Sequence, residues 1–137
     1  MKFARWVFII AGVYGIIVVT PLYFSEYQIG LDYPPAITHP EYFYGFIGVV
    51  LAFQILFLVI AINPVRYRMI ILPAIVEKFS YAIALFILFA QQRIPVMILS
   101  GGIIDFILGI LFLTAFFKSK EKKELEFPTL NSSSENK

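Results

Sequence analysis

Four long apolar runs constrain the fold of this chain more than any other feature of its sequence. Residues 6–24 and 42–65 contain no charged side chain. The third run is interrupted only by Glu77 and Lys78, and the fourth only by Asp105. A helix that crosses a membrane needs about 20 mostly apolar residues to span roughly 30 Å of hydrocarbon. The sequence therefore predicts an all-α, polytopic membrane protein with four transmembrane helices.

The lengths of the runs and of their connections predict how the chain is organised. We place the four spans at about residues 5–24, 42–63, 69–90 and 95–117. The short connections favour an up-down-up-down four-helix bundle that forms a single domain over residues 1–117. One longer outer loop covers residues 25–41. The tail over residues 118–137 is basic at its start and is then predicted to be disordered.

The composition excludes several functional classes. Hydrophobic residues make up 60% of the chain and charged residues 15%, whereas soluble domains have roughly 45–50% and about 25%. The absence of cysteine excludes disulfides, thiol exchange and iron–sulfur clusters. The single histidine, His39, excludes a bis-His haem within one chain. We therefore expect the lipid bilayer as a partner, and no cofactor, metal or nucleic acid.

Lysine and arginine residues are distributed unequally between the two sides of the predicted bundle. One side carries nine of them: Lys2, Arg5, Arg66, Arg68, Lys118, Lys120, Lys122, Lys123 and Lys137. The opposite side carries only Arg93, together with the acidic residues Glu26, Asp32 and Glu41. Cytoplasmic loops of membrane proteins are enriched in lysine and arginine. We therefore expect both termini in the cytoplasm and a multi-pass protein of the cell membrane.

The outer loop contains two local patterns. Thr38 and Glu41 have the spacing of a capping box at the start of the second span. Aromatic residues crowd the same side of the bundle, among them Tyr23, Tyr33 and Tyr44. Their density is expected for an aromatic belt at the membrane surface, and it also permits a folded lid over the mouth of the bundle.

Each predicted span contributes a polar side chain at a similar depth, and this coincidence is the main functional signal. The candidate site is a mid-membrane cluster of Tyr14, Gln54, Glu77, Lys78, Ser80, Tyr81 and Asp105. An ionisable group costs on the order of 2.5–3.5 kcal/mol at the centre of a span. Such groups need partners or a function, and we interpret the cluster as a candidate binding or proton site without catalytic residues.

Helical spacing limits which of these side chains can meet. Glu77 and Lys78 are rotated by about 100° from each other, so both cannot point straight at one axis. We expect Asp105 to pack against the third span and to pair with Lys78 or form hydrogen bonds with Glu77, Ser80 or Tyr81. Two carboxylates face one ammonium in an apolar interior, so we expect one carboxyl group to be protonated at neutral pH. Alternatively, the cluster serves only as interhelical packing.

The second and third spans resemble those of DoxX-like proteins, a group of small bacterial four-helix membrane proteins. The resemblance lies in Tyr44-Gly45-Phe46-Ile47-Gly48 at the start of the second span and Asn63-Pro64-Val65-Arg66-Tyr67-Arg68 at its end. It implies a protein of the bacterial inner membrane, in some relatives associated with quinone-linked redox enzymes. No catalytic residue of that group matches a position of this chain.

Three functional hypotheses follow. The first is a protein that binds or moves a small lipidic or quinone-like molecule, or protons, near Glu77 and Asp105. The second is a structural subunit of a larger membrane redox complex, or a homo-oligomer, whose polar residues serve packing. The third, an enzyme, has the least support, since no nucleophile–base pair, metal cluster or phosphate loop is visible. A cavity that reaches both carboxyl groups favours the first, and a solid core with Lys78 touching Asp105 favours the second.

Overall fold

A computed structural model describes residues 2–120, and all regular secondary structure in this part of the chain is helical. The helices are α1 (Lys2–Val19), α2 (Glu26–Asp32), α3 (Pro40–Ile62), α4 (Ile71–Ala90) and α5 (Val96–Lys118). The predicted disordered tail, with Lys122, Lys123 and Lys137, lies outside the described residues.

Four of these helices, with the short 3-10 turns that extend two of them, are long and apolar enough to cross a membrane. They cover Lys2–Phe24, Pro40–Ile62, Arg68–Ala90 and Val96–Lys118. Only 17–28% of the most apolar part of each helix is buried within the protein. Most of their apolar side chains therefore face outward, as expected for helices surrounded by lipid rather than by a soluble core. The predicted all-helical chain with four candidate membrane spans is confirmed at this level.

The connection between the first two long helices is more ordered than a plain loop. α1 tightens at Pro21 into a 3-10 turn over Thr20–Phe24, and the short helix α2 follows. Within α2, Gln28 Nε2 donates a hydrogen bond of 2.9 Å to Asp32 Oδ1. This one-turn pairing supports a helix that the apolar periodicity of the sequence does not reveal.

The capping box expected at Thr38 and Glu41 does not form. The residue that precedes α3 is His39, and no side chain caps the helix there. Glu41 instead contacts His39 at 3.2 Å, between Oε1 and Nδ1. Pro40 occupies the first turn of α3, where a proline costs the helix no hydrogen bond.

The four long helices form two close pairs. α1 packs along α3 and α4 packs along α5, whereas α3 and α4 touch in only a few places. Glycines permit the close approach within each pair. A Cβ atom on Gly12 would lie 2.9 Å from the backbone oxygen of Gln54, and one on Gly109 would lie 3.0 Å from the Phe79 ring. Contacts between α1 and α5 join the two pairs.

The two pairs meet around an aromatic core made of Phe8, Phe57 and Phe112, each fully buried. The ring centroid of Phe112 lies 4.4 Å from that of Phe8 and 4.9 Å from that of Phe57. Buried alanines from all four long helices surround these rings. The aromatic core therefore holds the helix pairs together at one level of the bundle.

Beyond the aromatic core lies a basic end, defined by Arg5, Arg68 and Lys118. Arg5 donates hydrogen bonds to the carbonyl oxygens of Ala61 (3.1 Å) and Ile62 (3.2 Å) at the end of α3. Arg68 Nε donates to the carbonyl oxygen of Phe116 near the end of α5 at 3.0 Å. Cations stabilise the negative ends of helix dipoles, and both arginines satisfy carbonyls that lack a partner within their helix.

Candidate functional site

A cavity of about 390 Å³ lies between the two helix pairs. Its floor is close to the aromatic core, since Lys78 Nζ lies 5.4 Å from the centre of the Phe57 ring. From there it extends toward the end of α1, where Val18 and Val19 form part of its wall, and toward the start of α3, where Val49 does. The cavity therefore lies on the side of the aromatic core that is away from the basic end.

The structure brings together all the candidate residues that the sequence places at a similar depth. Those that line this one cavity are Tyr14, Gln54, Glu77, Lys78, Ser80, Tyr81 and Asp105. They come from all four long helices, and the rest of the lining is mainly aliphatic.

Lys78 is the centre of the polar cluster. Its Nζ atom lies 3.0 Å from Asp105 Oδ1 and donates a hydrogen bond of 3.4 Å to Glu77 Oε1. The side chain of Lys78 is 6% exposed, that of Asp105 14% and that of Glu77 13%. One buried ammonium therefore links two carboxyl groups, one on its own helix and one on the neighbouring helix.

The observed pairing refines the expectation from helical spacing. Glu77 and Lys78 both line the cavity although their Cβ directions differ by about 100°. The four-carbon stem of lysine allows Nζ to reach back to both carboxyl groups. Of the partners considered for Asp105, the structure shows Lys78. Ser80 Oγ instead donates to the backbone oxygen of Glu77 at 3.1 Å.

Gln54 is the buried polar group of α3, with 1% of the residue exposed. Its Nε2 atom donates a 3.1 Å hydrogen bond to the carbonyl oxygen of Val50. A carbonyl oxygen can only accept, so this bond fixes the orientation of the amide. Gln54 Oε1 has no hydrogen-bond partner among the described residues. The side chain lies against Gly15, where an added Cβ would collide with it.

Phe46 and Gly101 are among the cavity-lining residues that the predicted cluster does not include. Phe46 lies beside Tyr81, with ring centroids 5.9 Å apart, and both line the cavity. Gly101 also lines it, and a Cβ atom built there would meet nothing within 4 Å. Gly101 precedes Asp105 by four residues and so shares its helix face. This spacing is the signal in the sequence that places Gly101 beside Asp105. Whether Gly101 touches another helix or borders a cavity depends on the tertiary structure.

The cavity offers an ammonium, two carboxyl groups, an amide and hydroxyls within apolar walls, a set suited to holding a small amphipathic molecule. Within residues 2–120, no group of three or more potential metal ligands occurs. Comparisons of the chain with protein-family models, curated proteins and solved structures gave no match.

Proposed function

We propose that this protein binds a small lipidic or quinone-like molecule in the cavity between its helix pairs. The observation that carries the proposal is the cavity of about 390 Å³, lined by polar side chains from all four long helices and otherwise mainly by aliphatic ones. Small-molecule sites combine apolar walls with a few convergent polar groups, often between the helices of a bundle. The polar cluster would orient the headgroup, and the aliphatic walls would hold the apolar part.

The exposure of the cavity walls supports a ligand that arrives from the lipid. Phe46 and Val49 line the cavity, yet they are 44% and 59% exposed. Both belong to α3, on the side where α3 and α4 make few contacts. A membrane-dissolved molecule would therefore reach the polar cluster laterally, between α3 and α4.

The proposed topology is an up-down-up-down bundle in a bacterial inner membrane, with both termini in the cytoplasm. Arg5, Arg68 and Lys118 support this orientation because they lie at the same end of the described bundle: Arg5 contacts the end of α3, and Lys118 Nζ lies 4.6 Å from the Phe3 ring of α1. Positive charge marks the cytoplasmic side. A DoxX-like membership is part of the same proposal and rests on the resemblance of the second and third spans.

Mass spectrometry of extracted small molecules tests the ligand. The protein would be purified in native lipid, and molecules retained after exchange into a defined lipid would be identified. Gly101→Leu adds a side chain that fills the cavity without an initial clash, whereas Gly45→Leu adds the same volume at an exposed glycine with open space around it. We expect a retained molecule in the wild type and in Gly45→Leu, and its loss in Gly101→Leu. Equal retention in all three proteins would contradict the proposal.

A structural subunit of a larger membrane complex is the second candidate function. The observation that favours it is the direct contact of 3.0 Å between Lys78 and Asp105, which joins α4 to α5 without a bound molecule. On this alternative, native purification yields a stoichiometric protein partner, and Gly101→Leu leaves that partner bound. Retention of a small molecule without a protein partner favours the ligand-binding function.

A further inference from the structure

We propose that the cavity selects ligands whose headgroup is a protonated primary amine, a cation that also donates hydrogen bonds. The inference rests on the proposed ligand-binding function and, within it, favours a lipidic amine over a quinone, whose carbonyl oxygens only accept hydrogen bonds. It follows from the balance of charges around the cavity, from the buried acceptor that the protein leaves without a partner there, and from the aromatic rings in the cavity walls.

The charge balance of the cavity favours a positive guest. Among the described residues that line it, Glu77 and Asp105 are the acidic groups and Lys78 is the one cation. Lys78 Nζ lies within 3.3 Å of Glu77 Oε2 and 3.0 Å of Asp105 Oδ1, so its charge is shared between both carboxylates. In the empty cavity, a proton on one carboxyl group would balance the excess of one negative charge. A cationic headgroup would take the place of that proton, so that both carboxyl groups are ionised around it in an environment that water screens poorly.

The buried polar groups at the cavity also favour a guest that donates hydrogen bonds. Gln54 Oε1 is a buried acceptor without a hydrogen-bond partner among residues 2–120, and the Gln54 side chain lines the cavity. Lys78 Nζ already contacts both carboxyl groups, which can accept further hydrogen bonds. A buried acceptor without a donor is unfavourable. A headgroup with several N–H donors would supply bonds to the amide oxygen and the carboxyl groups, whereas a carboxylate or phosphate would add further acceptors and repulsion.

The walls of the cavity suit an organic cation with an apolar body. Tyr14, Phe46 and Tyr81 contribute aromatic rings to the lining, and the faces of such rings attract cations. The aliphatic part of the wall, which includes Val18 and Val49, would cover a short hydrocarbon chain.

Four probes with the same six-carbon chain separate charge from hydrogen-bond donation. Hexylamine has both at pH 7, hexyltrimethylammonium has charge without N–H donors, hexan-1-ol has a donor without charge, and hexanoate is an anion. Binding to the protein in nanodiscs would be measured by titration calorimetry, with empty nanodiscs subtracted. We expect hexylamine to bind at least about tenfold more tightly than hexan-1-ol and hexanoate, because charge-assisted hydrogen bonds are the stronger class. We expect hexyltrimethylammonium to bind more weakly than hexylamine and more tightly than hexan-1-ol and hexanoate.

Variants locate the selectivity in the cavity. Glu77→Gln removes a carboxylate from the cluster, and we expect it to reduce the preference for hexylamine over hexan-1-ol at least about threefold. Glu41→Gln makes the same chemical change at a residue that does not line the cavity, and it should leave the preference unchanged. The comparison of the four probes on the wild type does not depend on whether Glu77→Gln folds.

The outcomes distinguish the inference from the function on which it rests. If all probes bind equally well, or hexanoate binds most tightly, and Gly101→Leu abolishes this binding, the amine selectivity is overturned. The ligand-binding function then remains in place. Binding of none of the probes, or binding that Gly101→Leu does not affect, would overturn both.

Discussion

Lys78 is the side chain on which the polar cluster depends. It is 6% exposed, contacts a carboxyl group on each of two helices and lies over the Phe57 ring at the floor of the cavity. The lysine does not extend to the membrane surface, as lysines in spans often do. Keeping this charge buried requires that both carboxyl groups remain close to it, so α4 and α5 are fixed to each other at this level.

Removal of the ammonium should therefore destabilise the protein more than removal of either carboxylate. Lys78→Met leaves two acidic groups close together without a cation, and we expect a loss of about 3–5 kcal/mol of unfolding free energy. Asp105→Asn leaves the ion pair between Lys78 and Glu77, so we expect a loss of about 1 kcal/mol. Reversible unfolding in mixed micelles, followed by circular dichroism, gives these differences.

Lys118→Met is the matched control, since it makes the same chemical change at an exposed residue of the basic end. We expect it to leave the unfolding free energy nearly unchanged. Equal effects of Lys78→Met and Lys118→Met would show that the cluster contributes little to stability.

The membership of the cluster could be predicted from the sequence, but its bonding could not. Depth along four apolar runs brings Tyr14, Gln54 and Asp105 to one level, because spans of similar length in one membrane share a midplane. The partner of Asp105 depends on the rotation of α5 about its axis and on the rotamer of a long lysine side chain. Neither is fixed by helical periodicity alone.

Glycines set the distance between α1 and α3. A Cβ atom on Gly12 would lie 2.8 Å from Leu58 Cδ2 and 2.9 Å from the backbone oxygen of Gln54. The side chain of Leu58 can move, but a backbone oxygen inside a helix cannot move without displacing the helix. The close pair therefore depends on the absence of a side chain at Gly12.

We expect Gly12→Ala to destabilise the protein by about 1–3 kcal/mol, because the added methyl group forces the helices apart. Gly45→Ala serves as the control, since a Cβ atom there meets nothing within 4 Å, and alanine has the higher helix propensity. Its unfolding free energy should be equal to or above that of the wild type. A Gly12→Ala protein as stable as the wild type would show that α1 and α3 are not in close contact in the membrane.

Apolar periodicity predicts neither which helices pack closely together nor the short helix α2. Apolar runs reveal long spans because they are nearly uniform, whereas α2 has only seven residues, and its internal support is the pair Gln28 and Asp32. The expected cap at Thr38 fails because α3 begins one residue later than that pattern requires, directly after His39. The distinction between close and distant helix pairs arises from glycine contacts that involve residues far apart in sequence.

In the topology that we propose, the whole bundle has one orientation in the membrane, with its basic end in the cytoplasm. Because the chain has no cysteine, single cysteines can report on it without background. We expect Thr38→Cys in intact bacterial spheroplasts to react with a membrane-impermeant maleimide. Lys2→Cys and Lys120→Cys should react only after lysis, since they lie at the basic end. The reverse pattern of labelling would contradict cytoplasmic termini.

Buried charges of α4 and α5 meet at the floor of a cavity between two helix pairs. Solid-state NMR of the protein in lipid bilayers, with labelled lysine nitrogen and aspartate carboxyl carbon, measures this contact directly. We predict a strong through-space correlation between Lys78 Nζ and the Asp105 carboxyl carbon, which disappears in both Lys78→Met and Asp105→Asn. Absence of that correlation in the wild type, with Lys78 Nζ in contact with water and lipid headgroups instead, would contradict the account.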